Sequence, residues 1–198
     1  MEITFFDRLS AYFVDMVIIY IITLIIASCG LTSTTDSYNA KIKELTESYT
    51  NNLVTEEEFI DNYTSIIYEN QKSNVISLGV GTAIVIAYFV IFQYMNKGQT
   101  IGKKLLHLRV VDKDTQKPPT VIKFLIRELF IFNIASGILN IVFVYTLNKT
   151  GYLMGYTTIT AIETIFIVIS VALVLYRKDK RGLHDLMANT IVIREGRW

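Results

Sequence analysis

Hydrophobic positions in this chain come in blocks rather than in alternation. Four blocks approach or exceed the ~20 residues a helix needs to cross a bilayer. They cover about 9–29, 75–95, 124–147 and 155–176. Soluble helices carry a polar face, and these blocks mostly do not. Two prolines and ten glycines in 198 residues leave the blocks uninterrupted. The pattern predicts an all-α membrane protein with four transmembrane helices in a single domain, 1–198.

The polar stretches between the blocks predict three further features. Between 31 and 74, Thr55 and Glu58 have the spacing of a capping box, and Phe59, Tyr63, Ile66 and Ile67 recur at helical intervals after them. Ile42, Leu45 and Tyr49 do the same before the Asn51-Asn52 turn. We expect an extracytoplasmic acidic helical hairpin insert over 31–74. The cytoplasmic loop 96–120 contains Leu106-His107-Leu108-Arg109-Val110-Val111, and the tail 177–198 contains Thr190-Ile191-Val192-Ile193-Arg194. Both are short, β-branched and bounded by polar residues, as strands are. We expect them to pair as a small cytoplasmic β ribbon resting on the helix ends, because an isolated pair is marginal in water.

Charge sets the orientation. The formal net charge of +1 hides a strong asymmetry. Of the 19 Lys and Arg, only Lys41, Lys43, Lys72 and Lys149 fall in the segments between spans one and two or between spans three and four. The positive-inside rule then predicts a multi-pass protein of the cell membrane with both termini cytoplasmic. Segment 31–74 carries Asp36, Glu44, Glu47, Glu56, Glu57, Glu58, Asp61 and Glu69 and should face outward. The inner basic residues suit membrane lipid headgroups, not nucleic acid. A mean hydropathy of +0.40 agrees with the membrane class.

Asp15 stands out within the first block. Arg8 lies seven positions earlier, on nearly the same side of a helix, with Ala11 between them. A carboxylate roughly 10 Å along a membrane helix is costly unless protein or water receives it. Arg8 is the nearest counter-ion candidate, and Arg127 competes with it. Lys123 and Arg127, one turn apart, could instead snorkel to the interface. Glu128 is expected to point elsewhere on the helix. By depth, Asp15 pairs with Asn133 and Asn140 pairs with Glu163, so a polar chain through the bundle is possible. Thr160, Glu163 and Thr164 share a face of the last span. The bland alternative is that these groups hydrogen-bond between helices. It leads for Asn133 and Asn140, while both readings stand for Asp15 and Glu163.

Other chemistry is weak. Gly98-Gln99-Thr100-Ile101-Gly102-Lys103-Lys104 is one residue short of a phosphate loop and lacks its final Ser or Thr. Two histidines and one cysteine give no zinc spacing, although His184-Asp185 could hold a metal weakly. Asp185 is expected to pair with Arg109 or Arg181. No serine has a base nearby in the sequence. We therefore expect no enzyme activity, no cofactor and no metal. Ile26-Ala27-Ser28-Cys29 resembles a lipobox, but the preceding apolar run is too long and contains Asp15. Gly79, Ala83 and Ala87 form a small-residue stripe suited to close helix contact, within one subunit or between two.

Three separated motifs resemble the RDD family of bacterial membrane proteins. They are Arg8-Leu9-Ser10-Ala11 with Asp15; Gly98 to Leu106 leading into Leu108-Arg109-Val110-Val111-Asp112, with Arg127 following; and Gly182-Leu183-His184-Asp185-Leu186-Met187-Ala188-Asn189-Thr190. The resemblance covers nearly the whole chain except 31–74, which is longer than expected for the family. It implies that Arg8, Asp15 and Asp185 are the arginine and two aspartates of the family name, with Gly102 and Lys103 in its second motif. It also implies transport of an unidentified ligand, with some relatives linked to sodium–proton exchange and others to partner membrane enzymes.

The leading expectation is thus a component of small-cation or proton transport, handling Na+ or H+. Asp15 would be the exchangeable carboxylate, Arg8 or Arg127 would tune it, and Glu163 would be an outer relay. Four helices enclose little interior, so a homo-oligomer is expected. The rival expectation is a non-transporting adaptor or regulator of a partner membrane protein, with Arg8 and Asp15 as a structural lock.

Overall fold

The computed structural model describes residues 3–28 and 36–195. Cys29, on which the lipobox depends, lies outside them. Helix α1 runs Phe5–Ile26. Thr4 starts it: its side chain accepts from the Asp7 N–H, and Asp7 reaches back to the Thr4 N–H. The helix is apolar nearly all round, and of its residues only Ala11 and Asp15 are buried. That is the profile of a helix whose surroundings are lipid on most sides.

Helices α2 (Asp36–Thr50) and α3 (Glu56–Ser73) follow. Thr55 and Glu58 form the capping box their spacing predicts. Tyr49 and Phe59 pack across the turn with ring centroids 4.6 Å apart. Asn74 ends α3 and starts α4 (Val75–Ile86), which continues through a π-helical turn, Ala87–Phe92, into α5 (Gln93–Met95).

The remaining elements are α6 (Ile101–Leu105), β1 (Leu108–Asp112), α7 (Val121–Glu128), α8 (Ile134–Thr146), α9 (Lys149–Tyr176), α10 (Leu183–Met187) and β2 (Thr190–Arg194). The two strands pair antiparallel with Val110 opposite Val192, as the ribbon prediction requires. Ala11, Val90, Leu108, Val110, Phe124, Ile134 and Val192 form one buried cluster. The ribbon is therefore stabilised by packing on α1, the π-helical turn and α7, which supply the apolar face that two strands lack alone. We call α6, β1, α7, α10 and β2 the basal layer.

Three helices are long and apolar enough to cross a membrane: Phe5–Ile26, Val75–Met95 and Lys149–Tyr176. The expected span over 124–147 is not one continuous helix. It divides into α7 and α8, separated at 129–133, with Asn133 in the left-handed region at φ 54°. At 1.5 Å per residue the 13 residues of α8 extend only about 20 Å, short of a ~30 Å hydrocarbon core. The reason lies in α7. It buries Phe124, Arg127 and Glu128 in the basal layer, and charged groups there find partners that lipid cannot supply. The last span also begins earlier than expected, at Lys149, where the Asn148 side chain accepts from the Gly151 N–H.

Candidate functional site

Asp15 is 1% exposed and its carboxylate accepts three hydrogen bonds. Oδ1 accepts from the Tyr88 hydroxyl at 2.6 Å and the Gly102 N–H at 2.8 Å, and Oδ2 accepts from the Thr100 hydroxyl at 2.6 Å. Thr100 is the N-cap of α6 and Gly102 lies in its first turn, so Asp15 sits at the start of that short helix. All three donors are neutral. The π-helical turn presents Tyr88, whose oxygen also accepts from the Ile101 N–H. Gly102 is required here because a Cβ would overlap the Ala11 carbonyl oxygen and press on the Asp15 carboxylate. Close approach of α6 to α1 thus delivers the backbone donor.

The counter-ion assignments are corrected. Arg8 and Arg127 do not pair with Asp15. Both bind Asp185: Arg8 Nη1 to Oδ2 at 2.7 Å and Arg127 Nε to Oδ1 at 3.1 Å. Arg127 Nη1 also reaches Glu128 at 2.8 Å, so Glu128 faces inward and not away. Asp185 is fully buried and also accepts from the Thr190 hydroxyl and the Gly182 N–H. Burial alone would raise its carboxyl, but the cationic groups around it, Arg127 and Arg8 among them, outweigh burial and hold it far below the usual carboxylate range. The expected partners of Asp185 sit elsewhere. Arg109 pairs with Glu195 at 2.5 Å, and Arg181 donates to the backbone oxygens of Thr190 and Asp185. Lys123 does not simply snorkel; it pairs with Asp112.

His184 completes the layer. Its Nδ1 lies 2.5 Å from Ser170 Oγ, and its Nε2 lies 3.4 Å from Asp185 Oδ2. Burial pushes the imidazole down to about 4, so it is neutral at pH 7. Serine, histidine and aspartate in contact invite comparison with a hydrolase triad. The details point to a lock instead. Ser170 is 1% exposed, and its oxygen already accepts the Leu183 N–H. Asp185 is committed to two arginines. Among the described residues no group of three metal-ligating side chains occurs.

Farther along the bundle, Glu163 is 2% exposed and accepts one hydrogen bond, from the Ser136 N–H at 2.9 Å. Ser136 lies in the first turn of α8, so this acid also faces a helix N-terminus, where partial positive charge favours it. Asn140 accepts from the Tyr152 hydroxyl at 2.8 Å, an interhelical bond of the structural kind. Asn133 lies at the break itself, and its side chain does not cap α8. Asn133, Ser136 and Asn140 line a cavity of about 370 Å³ with Ser77, Thr82 and Tyr156. A second cavity, about 160 Å³, is lined by Arg8, Asp15, Lys103, Arg127, Glu128 and His184 with apolar walls from α1, α7, α9 and the ribbon.

Reasoning from the sequence missed Tyr88, Thr100, Gln93 and Ser170, and it misplaced Glu128. Only Thr100 carried a local signal, as a threonine three residues before Lys103, whose N–H it accepts. Tyr88, Gln93 and Ser170 acquire meaning through partners ten or more positions away, and Glu128 through its neighbour Arg127 once both are buried.

Long apolar helices and a basal layer closed by buried ions define a helical membrane protein. The RDD family profile matches residues 4–189, and the chain belongs to that family. No curated protein and no solved structure matches it. The three residues matched to the family name meet in one region: Arg8 with Asp185, and Asp15 beside the same 160 Å³ cavity as Arg8.

Proposed function

We propose that this protein is a component of small-cation or proton movement across a bacterial cytoplasmic membrane, with Glu163 rather than Asp15 as the exchangeable carboxylate. The observation that carries the reading is the break between α7 and α8, with Glu163 at the freed N-terminal turn of α8. Irregular backbone at membrane depth is tolerated where it lines a cavity, and discontinuous helices are a recurring way to build ion sites. The cavity of about 370 Å³ at the break is large enough for water or a small hydrated cation. Asp15 is poorly suited to exchange, because three donors already occupy its oxygens. It serves as an anchor that fixes α6 to α1. The basal layer faces the cytoplasm in this reading, with both termini there, so the broken α7–α8 segment carries the chain outward to the start of α9, and a second copy completes the pathway that so few helices enclose poorly. No catalytic step is assigned.

The test is flux. Purified protein in liposomes is given a sodium or potassium gradient while internal pH is followed. Wild type should move protons, Asp15→Asn should retain flux if folded, and Glu163→Gln should lose it. Undiminished flux in Glu163→Gln removes this carboxylate from the mechanism.

One observation favours a second reading, the non-transporting adaptor. Arg8, Asp15, Arg127 and Asp185 are all spent on closing the basal layer, as a scaffold for a partner membrane protein would require. Absence of flux from folded wild type under every gradient supports that reading.

A further inference from the structure

Helix α7 is built inside out. Phe124, Arg127 and Glu128 are buried against the protein. Phe124 joins the core cluster, Arg127 binds Asp185, and Glu128 binds Arg127. Val121, Ile122 and Leu125 are exposed, Ile122 by 68%. Their spacing puts all three within roughly 100° of helix surface. The other cation of α7, Lys123, is taken by Asp112 of β1. A soluble amphipathic helix is arranged the other way, with its apolar stripe inward and its charges in water. Here the charges are spent on protein partners and the apolar stripe is left outside.

Depth identifies what meets that stripe. Phe124 shares the core cluster with Val90, which lies in the π-helical turn inside the span Val75–Met95. Val90 is five residues from Met95, so it lies about 8 Å in from the basal end of that span. Ile91 and Phe92 of the same turn are exposed as well. Helix α7 is therefore held level with the last turns of a span whose outer surface is lipid-facing. The surroundings at that level are headgroups and the upper parts of acyl chains. Length agrees. Eight residues extend about 12 Å, too little to cross a bilayer and enough to lie along its surface.

We propose that α7 is an interfacial helix docked on phospholipid. It lies along the leaflet at the basal end of the spans, with Val121, Ile122 and Leu125 at the boundary of headgroups and acyl chains. The partner is the bilayer and not another protein. The start of the third apolar block thus enters the membrane without belonging to a span. The same eight residues carry Ile122 and Leu125 on one side and Arg127 and Glu128 on the other. Lipid on the outer face therefore holds α7 against Asp185 of α10, and the ionic contacts of the basal layer rest on the leaflet. The inference uses only the membrane class of the protein and is independent of Glu163.

The test is depth-resolved quenching of the full-length protein in phosphatidylcholine nanodiscs. In a Cys29→Ser background, Ile122→Cys and Leu125→Cys are each labelled with bimane, and Glu44→Cys on the polar face of α2 is the aqueous reference. Quenchers are aqueous iodide and phosphatidylcholine carrying a nitroxide either high on the acyl chain or near its end. The labels at 122 and 125 should sit about 5–10 Å into the boundary and be quenched at least about twofold more by the high nitroxide than by either other quencher. The label at 44 should respond to iodide alone. Iodide quenching at 122 and 125 equal to that at 44 overturns the proposal, because the face is then in water. Strongest quenching by the chain-end nitroxide overturns it in favour of a spanning segment. Quenching by none of the three overturns it in favour of a covering protein or a second copy. Hydroxyl-radical footprinting of the wild type needs no variant: Val121, Ile122 and Leu125 should escape oxidation in nanodiscs, and their oxidation overturns the proposal as well.

Discussion

The Arg8 guanidinium and the Asp185 carboxylate, 177 positions apart in the chain, meet at 2.7 Å. Their contact ties the first turns of α1 to α10, and Arg127 of α7 joins them on the other carboxylate oxygen. Arg194 adds a second tie from β2 to the start of α1, at 2.8 Å from Asp7. The basal layer is thus fastened to the first span by both ends of the chain.

Removing Asp185 should be severe. Asp185→Asn removes the shared negative charge and one of the two acceptor oxygens that Arg8 and Arg127 use, and breaking buried pairs of this kind costs roughly 3–5 kcal/mol. Thermal unfolding in detergent should show a large drop in midpoint. Arg8→Lys, which keeps the charge, should lie between Arg8→Met and wild type. Equal stability of Asp185→Asn and wild type would mean the network does not hold the layer.

Asp15 predicts a graded series. In Asp15→Asn one oxygen still accepts from Tyr88 and Gly102, and the Thr100 hydroxyl can turn to accept from the new amide, so the cost should be about 1–2 kcal/mol. Asp15→Leu strands all three donors and should cost more, at about 1–3 kcal/mol for each one left buried and unpaired. Limited proteolysis at 96–107 checks this, with faster cutting expected in Asp15→Leu than in Asp15→Asn.

Two glycines should respond oppositely. Gly102→Ala puts a methyl group into the Ala11 carbonyl oxygen and should cost at least about 1–3 kcal/mol as overpacking against backbone that cannot move aside. Gly81 has nothing within 4 Å of a new Cβ, so Gly81→Ala should be neutral or gain up to about 1 kcal/mol of helix propensity. Yields of folded protein by size exclusion should separate the two.

Acid should weaken the basal layer in two stages. The imidazole of His184 titrates near 6.5 when unfolded and near 4 when folded. The unfolded chain therefore binds more protons between those values, and stability falls as pH drops from about 6.5 towards 4. Asp185, whose folded carboxyl lies below its ordinary 3.8, adds a further loss below that pH. Melting midpoints across pH 4–7 should slope downward in wild type and flatten in His184→Gln. An unchanged slope would assign the acid sensitivity to other groups.

Much of the architecture was legible in the pattern of residues. Apolar run length predicted four spans, three of which are helices long and apolar enough to cross a membrane, and β-branched segments at 106–111 and 190–194 predicted a ribbon that forms. Thr55 with Glu58 predicted a helix start that forms as read. These succeed because run length, periodicity and capping act within a few residues. The third block misled because its apolar composition concealed a break. A left-handed Asn133 and inward-facing Arg127 and Glu128 are set by what α10 and the ribbon bring to them.

The sequence by itself determined that this chain enters a membrane, and it marked Arg8, Asp15, Asp185 and Glu163 as groups that must find partners. Tertiary structure alone decided which partners. Asp15 receives hydroxyl and backbone donors, Asp185 takes both arginines, and Glu163 takes a helix N-terminus. The physical reason is that desolvation belongs to each residue and can be read locally. The hydrogen bonds and ion pairs that offset it exist only after segments far apart in the chain have packed together.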